Sequence, residues 1–207
     1  MKVKINIENY TAENIFQISE NLKNGKISLL PTDTIYGLSC NMFNEIAIQK
    51  IFELKNRDFS KPFLVLANSI EMIDSIIENI PPIAKKLIEN FYQKSITIIF
   101  KSKKNVSKIL TSNTNKIGVR IPNSKFCLDI ISKTNFPIVS TSANISGKKI
   151  FSHKKMIETF QKKVDLIVDV GALQNNPSTI VDVSTDKIEI IREGTISIGE
   201  IKNLILL

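Results

Sequence analysis

Three stretches of this sequence end an apolar run in a packed group of hydroxyls. The first reads Leu29-Leu30-Pro31-Thr32-Asp33-Thr34-Ile35-Tyr36-Gly37. The second reads Ser140-Thr141-Ser142-Ala143-Asn144-Ile145-Ser146-Gly147, and the third Pro177-Ser178-Thr179-Ile180-Val181-Asp182. Hydroxyls, amides and turn N–H groups at a strand end can hold a small polar ligand or a phosphate. An ordinary Thr/Asp or Asx turn has the same residues, so no single stretch decides the matter.

The arginines carry more information. Of 28 basic residues only Arg57, Arg120 and Arg192 are arginine, and lysine serves everywhere else. Arginine differs by its planar fork, which grips carboxylate or phosphate at two points. Arg57 lies in Lys55-Asn56-Arg57 with Lys61 beyond it, at the end of an expected helix. There the cations either meet the helix dipole or face phosphate oxygens. In Lys116-Ile117-Gly118-Val119-Arg120-Ile121, strand alternation puts Gly118 and Arg120 on one face and the three isoleucine and valine residues on the other. Arg192 ends a row in which Ile188, Ile190 and Arg192 share a strand face. Each arginine thus falls within a motif, and together the motifs point to one polar cleft that binds an anion.

These residues must be positioned by a regular framework. Alternation and helical spacing give strands at Val3–Ile7, Ile27–Leu30, Phe63–Leu66, Ile96–Phe100, Ile117–Ile121 and Pro137–Thr141. Further strands follow at Leu166–Asp169, Thr179–Val183 and Lys187–Ile191. Helices are expected after the Thr11 cap, over Asn44–Asn56, Ile70–Ile80 and Ile83–Tyr92, after Asn123, near His153–Phe160, and at Ile198–Leu204. Strands and helices alternate first and strands then cluster. The expected fold is mixed α/β: a single domain over 1–207, with a twisted, open, mixed sheet flanked by helices.

Composition sets the outer limits. Hydrophobic content of 43% and charged content of 23% are those of a soluble globular chain. No apolar run is long enough to span a bilayer, and no signal peptide is apparent. Cys40 and Cys127 have neither metal spacing nor a disulfide framework, which fits a reducing cytoplasm. His153 is the only histidine, which disfavours a histidine triad or a multi-histidine metal site. The net charge of +8 suits a polyanionic partner such as RNA, or reflects a chain rich in lysine throughout. Both the P-loop and the Gly-x-Gly-x-x-Gly fingerprint are absent.

The motifs PTDTIYGLSCN, KNR followed by KPF, GVRIPN, STSANISG, PSTIVDV and IIREG occur in an order and spacing that resembles the YrdC-like (TsaC) family of threonylcarbamoyl-AMP synthases. The resemblance covers about Ile27 to Gly194. It implies a deep basic cleft and the reaction of L-threonine, bicarbonate and ATP to threonylcarbamoyl-AMP and pyrophosphate. Mg2+ would accompany ATP, with no dedicated protein metal site. A downstream threonylcarbamoyl transferase complex would then modify tRNA, and direct RNA contact is the open question.

By the same resemblance, Lys55, Arg57, Ser142 and Asn144 form the catalytic group. Thr34, Arg120, Ser140 and Ser178 lie on the threonine side. Arg57, Lys61, Lys116, Ser142 and Arg192 lie on the nucleotide side. Two departures stand out: Tyr92–Thr97 replaces a Trp-Pro-Gly-Pro-Leu-Thr run, and Leu66 stands where some relatives carry histidine. The extra C-terminal domain of the longer family branch is not expected. The alternatives are a non-catalytic RNA-binding relative, or an acyl-adenylate-forming enzyme with another substrate.

Overall fold

The computed structural model describes residues 2–91, 94–173, 176–185 and 187–206. Adjacent apolar residues in its strands are both buried, but in separate clusters. Leu29, Val65, Val139 and Ile167 belong to one, and their neighbours Leu30, Leu66, Ile138 and Leu166 to the other. Successive strand side chains point to opposite faces, so strands apolar on both faces need cover on both.

The strands are β1 (Lys2–Lys4), β2 (Ser28–Leu30), β3 (Gly37–Asn41), β4 (Leu64–Leu66), β5 (Ile96–Lys101), β6 (Lys116–Arg120), β7 (Ile138–Ser142), β8 (Leu166–Asp169), β9 (Thr179–Asp182) and β10 (Glu189–Arg192). They form one sheet in the order β1-β8-β2-β3-β7-β4-β6-β5-β9-β10. Pairings are parallel at β1/β8, β4/β6 and β5/β9 and antiparallel at β2/β3, β3/β7 and β5/β6, so the sheet is mixed.

The helices are α1 (Ala12–Lys23), α2 (Glu45–Lys55), α3 (Ile70–Asp74), α4 (Pro82–Phe91), α5 (Lys125–Thr134), α6 (His153–Phe160) and α7 (Ile198–Leu206). The Thr11 hydroxyl accepts from the Asn14 N–H at 3.2 Å and Asn14 Oδ1 accepts from the Thr11 N–H at 3.0 Å, closing the cap that starts α1. Ile15, Ile18 and Leu22 of α1 and Phe126, Ile130 and Ile131 of α5 cover one face of the sheet. Phe52 of α2, Leu87 of α4, Phe160 of α6 and Ile201 of α7 cover the other.

That first face is covered only in part. Leu64 and Leu66 pair in register with Gly118 and Arg120, so all four point to the α1/α5 side. Beyond β4 no helix among the described residues follows, and the same face of β6, β5 and β9 lines a cleft. The cleft lies there, floored by residues that alternate with core positions such as Val119, Ile98 and Val181.

The structure departs from the sequence expectations in three elements. β3 is an added strand: Leu38 and Cys40 are fully buried, and Ser39 between them pairs with Ser28 of β2 and Ser140 of β7. α3 stops at Asp74 instead of running to Ile80, because the backbone of 76–78 bonds to that of 101–103. In β10 a bulge between Ile190 and Arg192 breaks the expected alternation. Ile188 and Ile190 pack on the core, whereas Arg192 lines the cleft. Residues 92 and 93, at the end of the expected Ile83–Tyr92 helix, lie outside the described residues.

The one histidine joins a buried acid. Asp169 meets Lys2 Nζ at 2.9 Å and His153 Nε2 at 2.7 Å, and accepts the Gly171 N–H at 3.0 Å. Burial pushes its carboxyl up, but these donors outweigh burial and hold it down at about 2. A carboxyl so depressed binds fewer protons folded than unfolded. Its contribution is complete above the ordinary value of 3.8 and is lost as the pH falls through about 2. Asp169→Asn is therefore expected to flatten the acid-unfolding curve across that window, read by circular dichroism. A curve identical to that of the parent would contradict this role.

Candidate anion-binding cleft

All three arginines line a single cleft of about 380 Å³. Each is aimed by a different local device. α2 ends at Asn56, whose φ of 47° turns the chain through the left-handed region that asparagine tolerates. Arg57 follows. Its Nε donates to the Lys61 carbonyl and its Nη2 to the Pro62 carbonyl, both at 2.9 Å. The guanidinium sits 5.0 Å from the centre of the Phe63 ring.

Arg120 ends β6. Its Nη2 lies 3.1 Å from Asp33 Oδ1, with the two side chains 4% and 6% exposed. Its Nη1 donates to Thr34 Oγ1 at 3.1 Å, while its buried Nε has no partner among the described residues. Asp33 also accepts from the Ser95 hydroxyl at 3.1 Å.

Arg192 grips one carbonyl twice: Nε and Nη2 donate to Ser178 O at 3.1 and 2.7 Å. Burial and then the charge of Arg120 lower its pKa, and burial lowers that of Arg57. Among the described residues, only Arg120 of the three meets a carboxylate. Lys116, also on the cleft wall, pairs with Asp182 at 2.9 Å.

Hydroxyls complete the lining. Thr34, Ser140, Ser142 and Ser178 all face the cleft, as the sequence suggested. Ser178 shares a 2.8 Å bond with Thr97, a lining residue that pattern reading did not single out. Asp33 and Tyr36 belong to the first motif, whose residue types alone do not reveal their roles. Tyr36 donates to the Gly171 carbonyl at 2.8 Å and accepts the Val170 N–H at 2.9 Å, which ties the 32–37 loop to the end of β8. Burial raises its hydroxyl to about 12. A Cβ at position 37 would stand 2.3 Å from Ser140 Oγ, so a larger residue there would turn that hydroxyl away from its place.

Three expected phosphate-side residues do not line the cleft. Lys55 and Asn144 are buried beneath it, where their polar atoms bond to each other and to the 142–148 turn. The Lys61 side chain is exposed, and only its carbonyl serves the site, through Arg57. Leu66 is a core residue rather than a cleft residue. Of the altered 92–97 loop, Tyr92 and Gln93 lie outside the described residues, and Thr97 lines the cleft.

The Sua5/YciO/YrdC family model, described as "Telomere recombination", matches residues 20–194. The chain belongs to this family. A Methanocaldococcus jannaschii protein, provisionally named a threonylcarbamoyl-AMP synthase, is 36% identical over 89% of this chain and 87% of its own length. The threonylcarbamoyl-AMP synthase of Pyrococcus abyssi is 30% identical over 89% of this chain, which spans only 55% of that protein. The crystal structure of P. abyssi Sua5 complexed with L-threonine superposes with a TM-score of 0.93 at 28% identity, over 99% of this chain and 61% of that one. By sequence the chain is thus similar to proteins named threonylcarbamoyl-AMP synthases, and by fold to Sua5.

Gly194 supports the Arg192 side of the cleft from behind. A Cβ at this position would stand 2.2 Å from the Pro177 carbonyl and 2.5 Å from the Ser178 backbone carbon. Gly194→Ala is expected to displace the 177–178 backbone and to cost about 1–3 kcal/mol in urea unfolding. Unchanged stability would show that this contact is not tight.

Proposed function

We infer that this chain joins L-threonine, bicarbonate and ATP into threonylcarbamoyl-AMP and releases pyrophosphate. One observation carries the inference: two cleft arginines face only neutral oxygens, beside a third that is balanced by Asp33. A triphosphate needs uncompensated positive charge, which Arg57 and Arg192 supply. An amino acid is a zwitterion and needs a fork without excess charge. Arg120, on the cleft lining and neutralised by Asp33, suits its carboxylate.

In this reading Thr34, Ser140 and Ser178 surround threonine with Arg120, while Lys116 and Ser142 join Arg57 and Arg192 around the nucleotide. The threonine amine and bicarbonate give a carbamate with loss of water. A carbamate oxygen attacks the α-phosphorus, and the new O–P bond forms as the bond to the β-phosphate breaks. Charge grows on the phosphoryl oxygens and on the leaving pyrophosphate, where prepositioned cations act most strongly. No protein nucleophile is needed.

Mg2+ enters with ATP, held by phosphate oxygens and water. No group of three or more His, Cys, Asp or Glu side chains able to hold a metal occurs among the described residues. Asp182, the carboxylate on the cleft wall, is already paired with Lys116. The product then passes to a threonylcarbamoyl transferase that modifies tRNA. Among the described residues no helix is long and apolar enough to cross a membrane, and a cytoplasmic site suits this role.

The direct test is pyrophosphate release from ATP, Mg2+ and bicarbonate, with L-threonine, with serine, and with neither. Release that requires threonine is expected, and Arg57→Ala should lower kcat/KM by about 100-fold or more without unfolding the chain. Release with another amino acid would keep the chemistry and change the substrate. No release from folded, ATP-binding protein would overturn the synthase reading.

A further inference from the structure

Lys55 matches a phosphate-contacting position by motif, but its geometry assigns it other work. It stands in the last turn of α2 and is 1% exposed. An ammonium has three N–H donors, and all three are in use. They go to the Ser142 carbonyl, to the Asn144 carbonyl at 2.9 Å and to Asn144 Oδ1 at 3.3 Å. The Lys55 carbonyl in turn accepts the Ser146 N–H at 2.8 Å. Asn144 closes the turn from within: Oδ1 accepts from the Ser142 hydroxyl at 2.6 Å, and Nδ2 donates to the Lys148 carbonyl at 2.7 Å. Residues 142–148 are thus wound around one buried ammonium. Ser142 reaches the cleft, and Lys55 does not.

We propose that Lys55 is a positioning residue, whose ammonium shapes the Ser142–Lys148 turn that meets the anion and does not itself touch the anion. The proposal rests on the anion-binding reading of the cleft only for what the turn is presented to. Its energetics differ from those of a surface lysine. Burial, and then the charge of Arg57, press the ammonium to give up its proton and lower it toward about 7. Arg57 is the one charged group acting on it among the described residues. The three oxygens oppose that pressure. A neutral amine has two N–H donors, so loss of the proton removes one of the three bonds. The Ser142 carbonyl and Asn144 Oδ1 keep a second donor each, whereas among the described residues the Asn144 carbonyl depends on Lys55.

The test is NMR of the full chain with 13C-labelled lysine and a 15N backbone. In the unliganded protein, the Lys55 Cε signal and the amides of residues 142–148 are expected to titrate together, with a midpoint below the ordinary lysine value of 10.5. At a pH well below that midpoint, where Lys55 stays fully protonated with or without ligand, saturating inorganic pyrophosphate should move Ser142 and Arg57 and leave the Lys55 Cε signal in place. In Lys55→Met the turn amides should exchange with solvent at least about tenfold faster, while those of β7 up to Thr141 keep their rates. Pyrophosphate should then bind about tenfold more weakly, and the pH dependence that remains should be that of pyrophosphate's own ionisation.

A Lys55 Cε signal that moves on pyrophosphate binding would overturn the proposal, as would weakened binding with unchanged turn amides. If Lys55→Met does not fold, the titration of the unsubstituted protein decides. If pyrophosphate does not bind at all while Lys55 and the turn titrate together, the cleft reading fails and the positioning role stands.

Discussion

The cleft depends on positive charge that is held in place by neutral oxygen atoms. Arg57 rests on the carbonyls of Lys61 and Pro62, and Arg192 on the carbonyl of Ser178. A carboxylate would fix a guanidinium as well, but would cancel the charge that an anionic ligand needs. Carbonyls orient the fork and leave its field intact. Desolvation makes such an arrangement costly, which is why both arginines are pushed toward losing their protons. The rest of the fold supplies the burial and backbone rigidity that keep them there.

The sheet does this by being covered unevenly. α1 and α5 close one half of their face, and β6, β5 and β9 present the other half to solvent. Strand alternation then divides the labour within each strand. In β6, Ile117 and Val119 anchor the core while Lys116, Gly118 and Arg120 reach the cleft. Asp33 brings the loop after β2 across to Arg120 at the end of β6. Among the described residues that buried pair is balanced and the other two arginines meet no carboxylate, so the cleft keeps a net positive charge from them.

Much of this was legible in the sequence, because it follows from residue types at fixed spacing. The scarcity of arginine marked the three cleft cations, and alternation in β6 placed Gly118 and Arg120 together. Other features depend on tertiary context. β3 is hard to see in the sequence because its one serine, Ser39, pairs with Ser28 and Ser140 of neighbouring strands, a partnership invisible along the chain. The β10 bulge moves Arg192 off the face that alternation assigns to it, and no residue in that strand announces it. Lys55 shows the limit most clearly. A motif gives its neighbours in sequence, but its three oxygen partners lie 87 to 89 residues away.

The central claim is that Arg57 and Arg192 carry charge free for an anion. Calorimetric titration of ATP at rising salt tests it most directly. The account predicts an affinity that falls as salt rises, with the dependence weakened by about one charge in each of Arg57→Met and Arg192→Met. A salt dependence that neither substitution changes would contradict it, and would mean that these arginines serve the loops that hold them and not a ligand.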